Sequence, residues 1–393
     1  MRVVIVTTYY PNSCDPVRAI FIKHLSEELS KYSTVDIVSP VAYVPFRSLS
    51  DKNNCLSTIQ KESKSGDINI FYPRFMVIPG LEFLNGLMFS TSIYRIIKKL
   101  KKSHSSEKII IHSHCIYPDG FGSGLVSRIL NLPYVLTSHG SDINVLPERA
   151  LLKPQIKYAL THANGVIGVS RLLVDKIKKL VGADTISPEY IPCAGFFPDI
   201  FRTDLSPSNL RDDSVEIVFI GNLVKIKALD VLLRAWCKVI DADSAVGYHL
   251  TIIGEGPEKD NLIDQAVNLG IDSTVRFLGR IDYADIHQYI LNSDFLCLPS
   301  YNEGTPNVVI EALACGVPVI GSAVGAIPEL LADNNGIVFS PGDADALARA
   351  IIDAPDRLWD REKIAASVTD YEWEKLGARN NKYLEQVCND FYG

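Results

Sequence analysis

Short apolar, β-branched runs alternate with stretches of helical periodicity from the first residues of the chain. Val3 to Thr7 is followed by Ile20 to Ser30, and Val35 to Ser39 comes next. Ile109 to His112 precedes Gly120 to Leu130, Tyr134 to Thr137 stands alone, and Val166 to Val169 precedes Arg171 to Leu180. Such alternation specifies right-handed βαβ units and a parallel sheet covered by helices. The rhythm pauses between Pro192 and Ser214, where Pro198, Pro207 and the polar run Leu210 to Ser214 read as loop. It resumes with strands expected at Glu216 to Ile220, Leu250 to Ile253, Val275 to Leu278, Phe295 to Pro299 and Pro318 to Ile320. Helices are expected between and after them, at Ala228 to Ile240, Glu258 to Leu269, Ile286 to Asn292, Pro306 to Cys315 and Ala344 to Ile352.

The pattern therefore predicts an α/β protein of two Rossmann-like domains, residues 1–205 and 206–372, with a final helix from Trp373 to Val387 packing back across the linker. At 393 residues the chain has room for two cores. Ligands of open α/β sheets bind beyond the carboxyl ends of the strands, so two such domains facing a central cleft would hold a substrate between them.

Composition adds exclusions. Hydrophobic residues at 47% and charged residues at 22% match a soluble globular protein. A net charge of -7 argues against a nucleic-acid partner. The first residues offer five apolar side chains before Thr7, too few for a signal-peptide core, and the stretch from Phe75 is broken by Pro79, Gly80, Glu82 and Asn85. The expectation is a cytoplasmic protein with no membrane span. Two basic groups, Arg95 with Lys98, Lys99, Lys101 and Lys102, and Lys176 with Lys178 and Lys179, are solvated helix faces or contacts for anionic lipid at the inner membrane surface. The eight cysteines show no metal-finger spacing and read as reduced core residues.

The segment from Pro299 to Pro318 carries the most chemistry. It runs from a buried strand through a glycine-containing turn into a helix. Pro306 suits the first helical turn, and Gly304, Thr305, Asn307 and Val308 would turn backbone N–H groups and the positive helix end toward a diphosphate. Glu311 lies about 7.5 Å along the helix at about 1.5 Å per residue, within reach of ribose hydroxyls. Glu303, on the preceding loop, can accept hydrogen bonds from sugar hydroxyls, or else cap the helix. Asp241 with Asp243 and Asp343 with Asp345 repeat a D-x-D spacing, but the first lies at a helix end and Asp343 reads as an N-cap, so no metal site is expected.

The Glu303 to Glu311 spacing, followed by Ala312 to Ile320 and by Gly325-Ala-Ile-Pro-Glu329, resembles the donor-site signature of family 4 retaining glycosyltransferases of the GT-B fold. The resemblance spans essentially the whole chain and implies a nucleoside diphosphate-sugar donor, expected to be a UDP-sugar, with no other cofactor. It implies further that the turn after Phe219 and Ile220, with Gly221, Lys225 and Lys227, sets a basic pair on the diphosphate. The family's usual arginine is Asn222 here, which removes one positive charge. Arg280 would lie near the nucleobase, and Gly254 and Gly256 are either donor contacts or ordinary turn glycines. In the first domain His139 matches the histidine near the transferred sugar, while His114, Asp142 and Arg18 belong to the acceptor side. Together, Lys227, Glu303 and His139 form the implied catalytic set.

The pattern Ser113-His114 to Gly120 with His139 to Asn144 is similar to bacterial transferases of surface-polysaccharide assembly, including the teichuronic-acid type. Their acceptors are glycans or lipid-linked glycans. Two alternatives stand beside this: a GT-B-fold sugar-nucleotide epimerase, and a catalytically silent nucleotide-sugar-binding partner suggested by Asn222.

Overall fold

The computed structural model describes residues 1–16, 18–44, 51–201, 214–242 and 247–393. The chain divides into two compact units, Met1–Cys193 with Trp373–Gly393, and Ala194–Glu372. The linker boundary expected at 205/206 lies outside the described residues, and the division falls at Cys193/Ala194.

The first unit is built on eight strands in the order Glu189–Tyr190, Gly165–Gly168, Tyr134–Ser138, Ile109–His114, Arg2–Val6, Thr34–Val38, Ile68–Phe71 and Glu62–Ser65. All neighbours are parallel except the last pair. Val3, Val4, Ile5 and Val6 are fully buried, as strands covered on both faces require, which is why they read as continuous apolar runs. Beneath them a buried ion pair joins Arg2 to Asp36 at 2.5 Å, and the Asn69 amide donates to the other Asp36 oxygen at 2.7 Å. The Glu62–Ser65 edge strand is polar, which suits an unpaired edge and hides it from a search for apolar runs.

Helix Asn85–Ser103 buries Phe89, Ile93, Ile97 and Leu100 along one stripe, leaving Arg95, Lys98, Lys99 and Lys102 on its exposed face. Lys101 instead donates to the Leu130 carbonyl at 2.5 Å. The terminal helix Trp373–Tyr392 belongs to this same unit, where it packs on helix Ile20–Ser30. Ser33 donates to Asn381 at 2.8 Å across that contact.

The second unit carries six parallel strands in the order Val275–Gly279, Gly247–Ile253, Ser214–Ile220, Phe295–Leu298, Val319–Ser322 and Gly336–Phe339. Its core centres on Trp236, fully buried, whose indole N–H donates to Thr274 Oγ1 at 3.0 Å.

One expectation is corrected. The cysteines are not all reduced: Cys14 and Cys55 form a disulfide with Cα atoms 5.8 Å apart. Neither residue lies in an apolar run, whereas Cys115, Cys193, Cys297, Cys315 and Cys388 are buried thiols. The bridge closes a separation of 41 residues and ties the loop after the first strand to helix Asp51–Thr58. Thiol titration of the unfolded, unreduced protein should yield six free cysteines, against eight after reduction. Replacing both bridge cysteines with serine should lower the unfolding free energy by about 2–4 kcal/mol, measured by denaturant titration.

Candidate active site

In the second unit the sheet order reverses direction between Ser214–Ile220 and Phe295–Leu298, the topological switch point at which open α/β sheets bind ligands. The loops leaving these two strands are residues 221–227 and 299–306. They are hydrogen-bonded to each other, the Tyr301 N–H donating to the Ile226 carbonyl at 2.8 Å. Lys227 Nζ lies 2.6 Å from Glu303 Oε1, with side chains 20% and 10% exposed, and the Ser300 hydroxyl donates to the same oxygen at 2.6 Å. Two residues singled out for different parts of a donor thus hold each other. Glu303 is not a helix cap.

Helix Asn307–Ala314 begins directly beyond this pair. Pro306 has extended backbone and stands at the N-cap, one position earlier than the first-turn placement expected from sequence. The first hydrogen bond of the helix runs from the Val309 N–H to the Pro306 carbonyl at 3.2 Å, so the N–H groups of Asn307 and Val308 come before it and leave the amino end suited to an anion. Glu311, on the same helix, is only 4% exposed and receives a hydrogen bond from the Tyr283 hydroxyl at 2.9 Å. Burial pushes its carboxyl up to about 7, the tyrosine hydrogen bond opposing the shift.

The glycines of this region have a packing cause. A Cβ at Gly254, whose φ is +143°, would lie 1.9 Å from the Gly221 carbonyl oxygen, and one at Gly256 would lie 2.2 Å from that of Leu223. Backbone rests on backbone there, so the structural reading accounts for both glycines. Gly325 does the same for the other loop: a Cβ would lie 2.4 Å from the Glu303 backbone carbonyl oxygen, and the neighbouring Ala326 N–H donates to the Gly304 carbonyl at 2.8 Å. Asn222 and Lys225 are exposed on the first of these loops, and Arg280 is exposed just beyond strand Val275–Gly279. Asp343 caps the following helix by accepting from the Ala346 N–H at 2.9 Å, and Asp345 pairs with Lys238, so this D-x-D is structural. Asp243 of the other lies outside the described residues.

In the first unit the strands Ile109–His114 and Tyr134–Ser138 bring two histidines together. His114 Nδ1 and His139 Nε2 are 2.9 Å apart, and His112 Nε2 meets Thr137 Oγ1 at 2.8 Å. Burial pushes all three imidazoles below their ordinary range, keeping them neutral near pH 7. Cys193 stands with His114 and His139 in a group whose possible ligand atoms all lie within 4.8 Å of one another. Asp142 is buried, and its carboxylate accepts from the Ile116 N–H at 3.0 Å, the Ser138 hydroxyl at 2.9 Å, the Gly140 N–H at 2.9 Å and the His139 N–H at 3.4 Å. It fixes the His139 turn rather than presenting itself to an acceptor. Arg18 stacks over the Tyr9 ring at 5.1 Å, on the loop following the first strand.

Sequence reasoning missed Asp119, which is fully buried and grips that loop through the N–H and hydroxyl of Thr8. Its only signal was an acidic residue at a predicted helix start, where surface caps are common. Ser300 and Tyr283 were missed for a similar reason: nothing in their neighbours marks them.

Residues 20–194 match the family described as Glycosyltransferase Family 4, and residues 201–365 match Glycosyl transferases group 1. The chain is 30% identical over 362 residues to the putative teichuronic acid biosynthesis glycosyltransferase TuaC of Bacillus subtilis, covering 89% of this chain and 88% of that one. It belongs to the family 4 glycosyltransferases, and it is a glycosyltransferase by that membership. Another relative, the N-acetyl-alpha-D-glucosaminyl L-malate synthase of Bacillus anthracis, is 28% identical over 249 residues, covering 61% of this chain and 63% of that one. The GT-B fold is shared with sucrose-phosphate synthase from Thermosynechococcus elongatus, at a TM-score of 0.76, 19% identity and coverage of 99% and 100%. It is shared also with Anabaena HepE in complex with UDP, at 0.70, 18% identity and coverage of 98% and 100%.

The buried Asp119 gives a pH test. Burial raises its folded-state pKa from 3.8 to about 7, so the protonated form contributes stability that is complete below about 4 and lost as pH rises through 7. Relative to Asp119→Asn, the parent should therefore lose unfolding free energy steadily between pH 4 and 7, by denaturant melts at matched ionic strength. A pH-independent difference would place the ionised carboxylate in the native state throughout.

Proposed function

We propose that the second unit binds a nucleoside diphosphate-sugar, a UDP-sugar being the expected donor, and that the sugar is transferred with retention and without a catalytic metal. The observation that carries this reading is the convergence at one switch point of Lys227, Glu303 and the amino end of the helix holding Glu311. Anabaena HepE, alike in fold, has been solved with UDP, which accords with a nucleotide-sugar donor.

In this account the donor diphosphate takes the amino end of helix Asn307–Ala314, and Lys227 leaves Glu303 for the phosphate oxygens. The freed Glu303 carboxylate accepts from hydroxyls of the sugar. As the glycosyl bond breaks, Lys227 and the helix N–H groups stabilise the departing diphosphate, a kind of contribution worth about 3–4 kcal/mol per group. His139, neutral through burial, stabilises positive charge at the anomeric carbon through its ring or carbonyl, and His114 and Asp142 hold it in place. The acceptor hydroxyl attacks from the leaving-group side and its proton passes to the departing phosphate, so configuration is kept without a covalent glycosyl-enzyme.

The acceptor is a glycan or lipid-linked glycan of surface-polysaccharide synthesis, a reading supported by the teichuronic acid biosynthesis for which the Bacillus subtilis relative is named. No helix among the described residues is long and apolar enough to cross a membrane. The exposed bases of helix Asn85–Ser103 suit peripheral contact with the inner membrane face. In the second patch Lys176 is already engaged, donating to Asn144 at 2.7 Å.

Donor hydrolysis across UDP-, GDP- and ADP-sugars in EDTA tests the proposal. Slow release of one sugar is expected, with Lys227→Ala lowering turnover about 100-fold or more. Turnover abolished by EDTA and restored only by a divalent ion would overturn metal independence. An inverted product anomer by NMR would overturn retention, and an isomerised donor without acceptor would identify an epimerase. Donor binding with no turnover on any acceptor would favour a silent partner, for which Asn222 in place of arginine is the specific reason.

A further inference from the structure

Glu311 is a nearly inaccessible carboxylate, and among the described residues the Tyr283 hydroxyl is the hydrogen-bond donor it meets. A carboxylate offers about four acceptor positions, and burying one with so few donors is costly. Such a group is retained where a further donor arrives. Tyr283 is the first residue of helix Tyr283–Leu291, three positions beyond Arg280, and so belongs to the turn leaving strand Val275–Gly279. Its ring sits edge-on to Phe201 with centroids 5.7 Å apart, which fixes the phenol by apolar contact independently of Glu311. The hydroxyl donates to Oε1.

We propose that Tyr283 is a positioning residue for the donor nucleoside: by holding Oε1 of Glu311 it sets the carboxylate plane so that Oε2 accepts from the ribose hydroxyls. This rests on the donor site proposed above. Without the phenol the carboxylate is free to rotate about its last bond, and the ribose contact is made at the cost of ordering it. Tyr283 touches neither the diphosphate nor the reacting carbon, so its effect falls on nucleoside recognition and not on bond breaking.

The test compares binding of nucleoside diphosphates with that of their 2′-deoxy and 3′-deoxy analogues by calorimetry, using whichever of UDP, GDP and ADP the parent binds best. The parent should prefer the ribonucleotide about tenfold over at least one analogue, the size of a hydrogen bond to a charged group. Tyr283→Phe should weaken ribonucleotide binding while leaving the analogue nearly unchanged, compressing that ratio toward one. It should also raise the donor KM with kcat for donor hydrolysis within about twofold. Adding Tyr283→Phe to Glu311→Gln, a pair that leaves no buried carboxylate short of a donor should the single variant fold poorly, should cost nothing further.

If Glu311→Gln keeps the full ribose preference, or no nucleoside diphosphate binds, the donor reading of this site fails and the inference falls with it. If Glu311→Gln abolishes the preference but Tyr283→Phe keeps it, the donor reading stands and the positioning role of Tyr283 is overturned. A further loss in the double variant would also overturn it, since Tyr283 would then act without Glu311.

Discussion

Backbone packed directly on backbone is the constraint on which the second unit depends. The loop after strand Ser214–Ile220 lies under Gly254 and Gly256, and the loop after Phe295–Leu298 lies against Gly325, each at distances no side chain would permit. Those contacts leave both loops little freedom, and the hydrogen bond from Tyr301 to Ile226 joins them. The Lys227–Glu303 pair is a consequence: two charged side chains on rigid supports at the sheet's switch point, 2.6 Å apart. A site so constrained can meet an anionic ligand with little reorganisation beyond an exchange of partners at Lys227.

The first unit reaches a comparable rigidity by another route. Buried carboxylates take the place of close-packed glycines: Asp142 collects four donors around the His139 turn, and Asp119 grips Thr8. Each converts a flexible strand-end loop into a defined one by satisfying N–H groups that the sheet leaves unpaired. The neutral histidines follow from the same burial, because an imidazolium ion among apolar strands would be poorly solvated.

Much of the framework was legible in the sequence because buried parallel strands are nearly continuous apolar runs. Helix Ile20–Ser30 has the bounds its periodicity indicated, and other elements differ by a few residues at their ends. Elements whose burial is one-sided or slight were not legible: the polar Glu62–Ser65 strand, helix Lys153–Thr161 and strand Gly336–Phe339. At the site, residue types and spacing around Glu303 and Glu311 pointed to a loop and helix that stand at the sheet's switch point. They could not reveal that Lys227 and Glu303 pair with each other, that Asp142 turns inward, or that Cys14 meets Cys55, because each depends on contacts between residues far apart in sequence or on a turn's exact path. Tyr283 was invisible for the same reason, being joined to Glu311 only through the packing of two helices.

The central claim is that the Lys227–Glu303 pair opens to receive a diphosphate at the amino end of helix Asn307–Ala314. A crystal structure of the protein with UDP bound tests this most directly. The account predicts phosphate oxygens within hydrogen-bond distance of Lys227 Nζ and of the first N–H groups of that helix, with Lys227 withdrawn from Glu303. A diphosphate bound elsewhere, with the 2.6 Å pair intact, would contradict it.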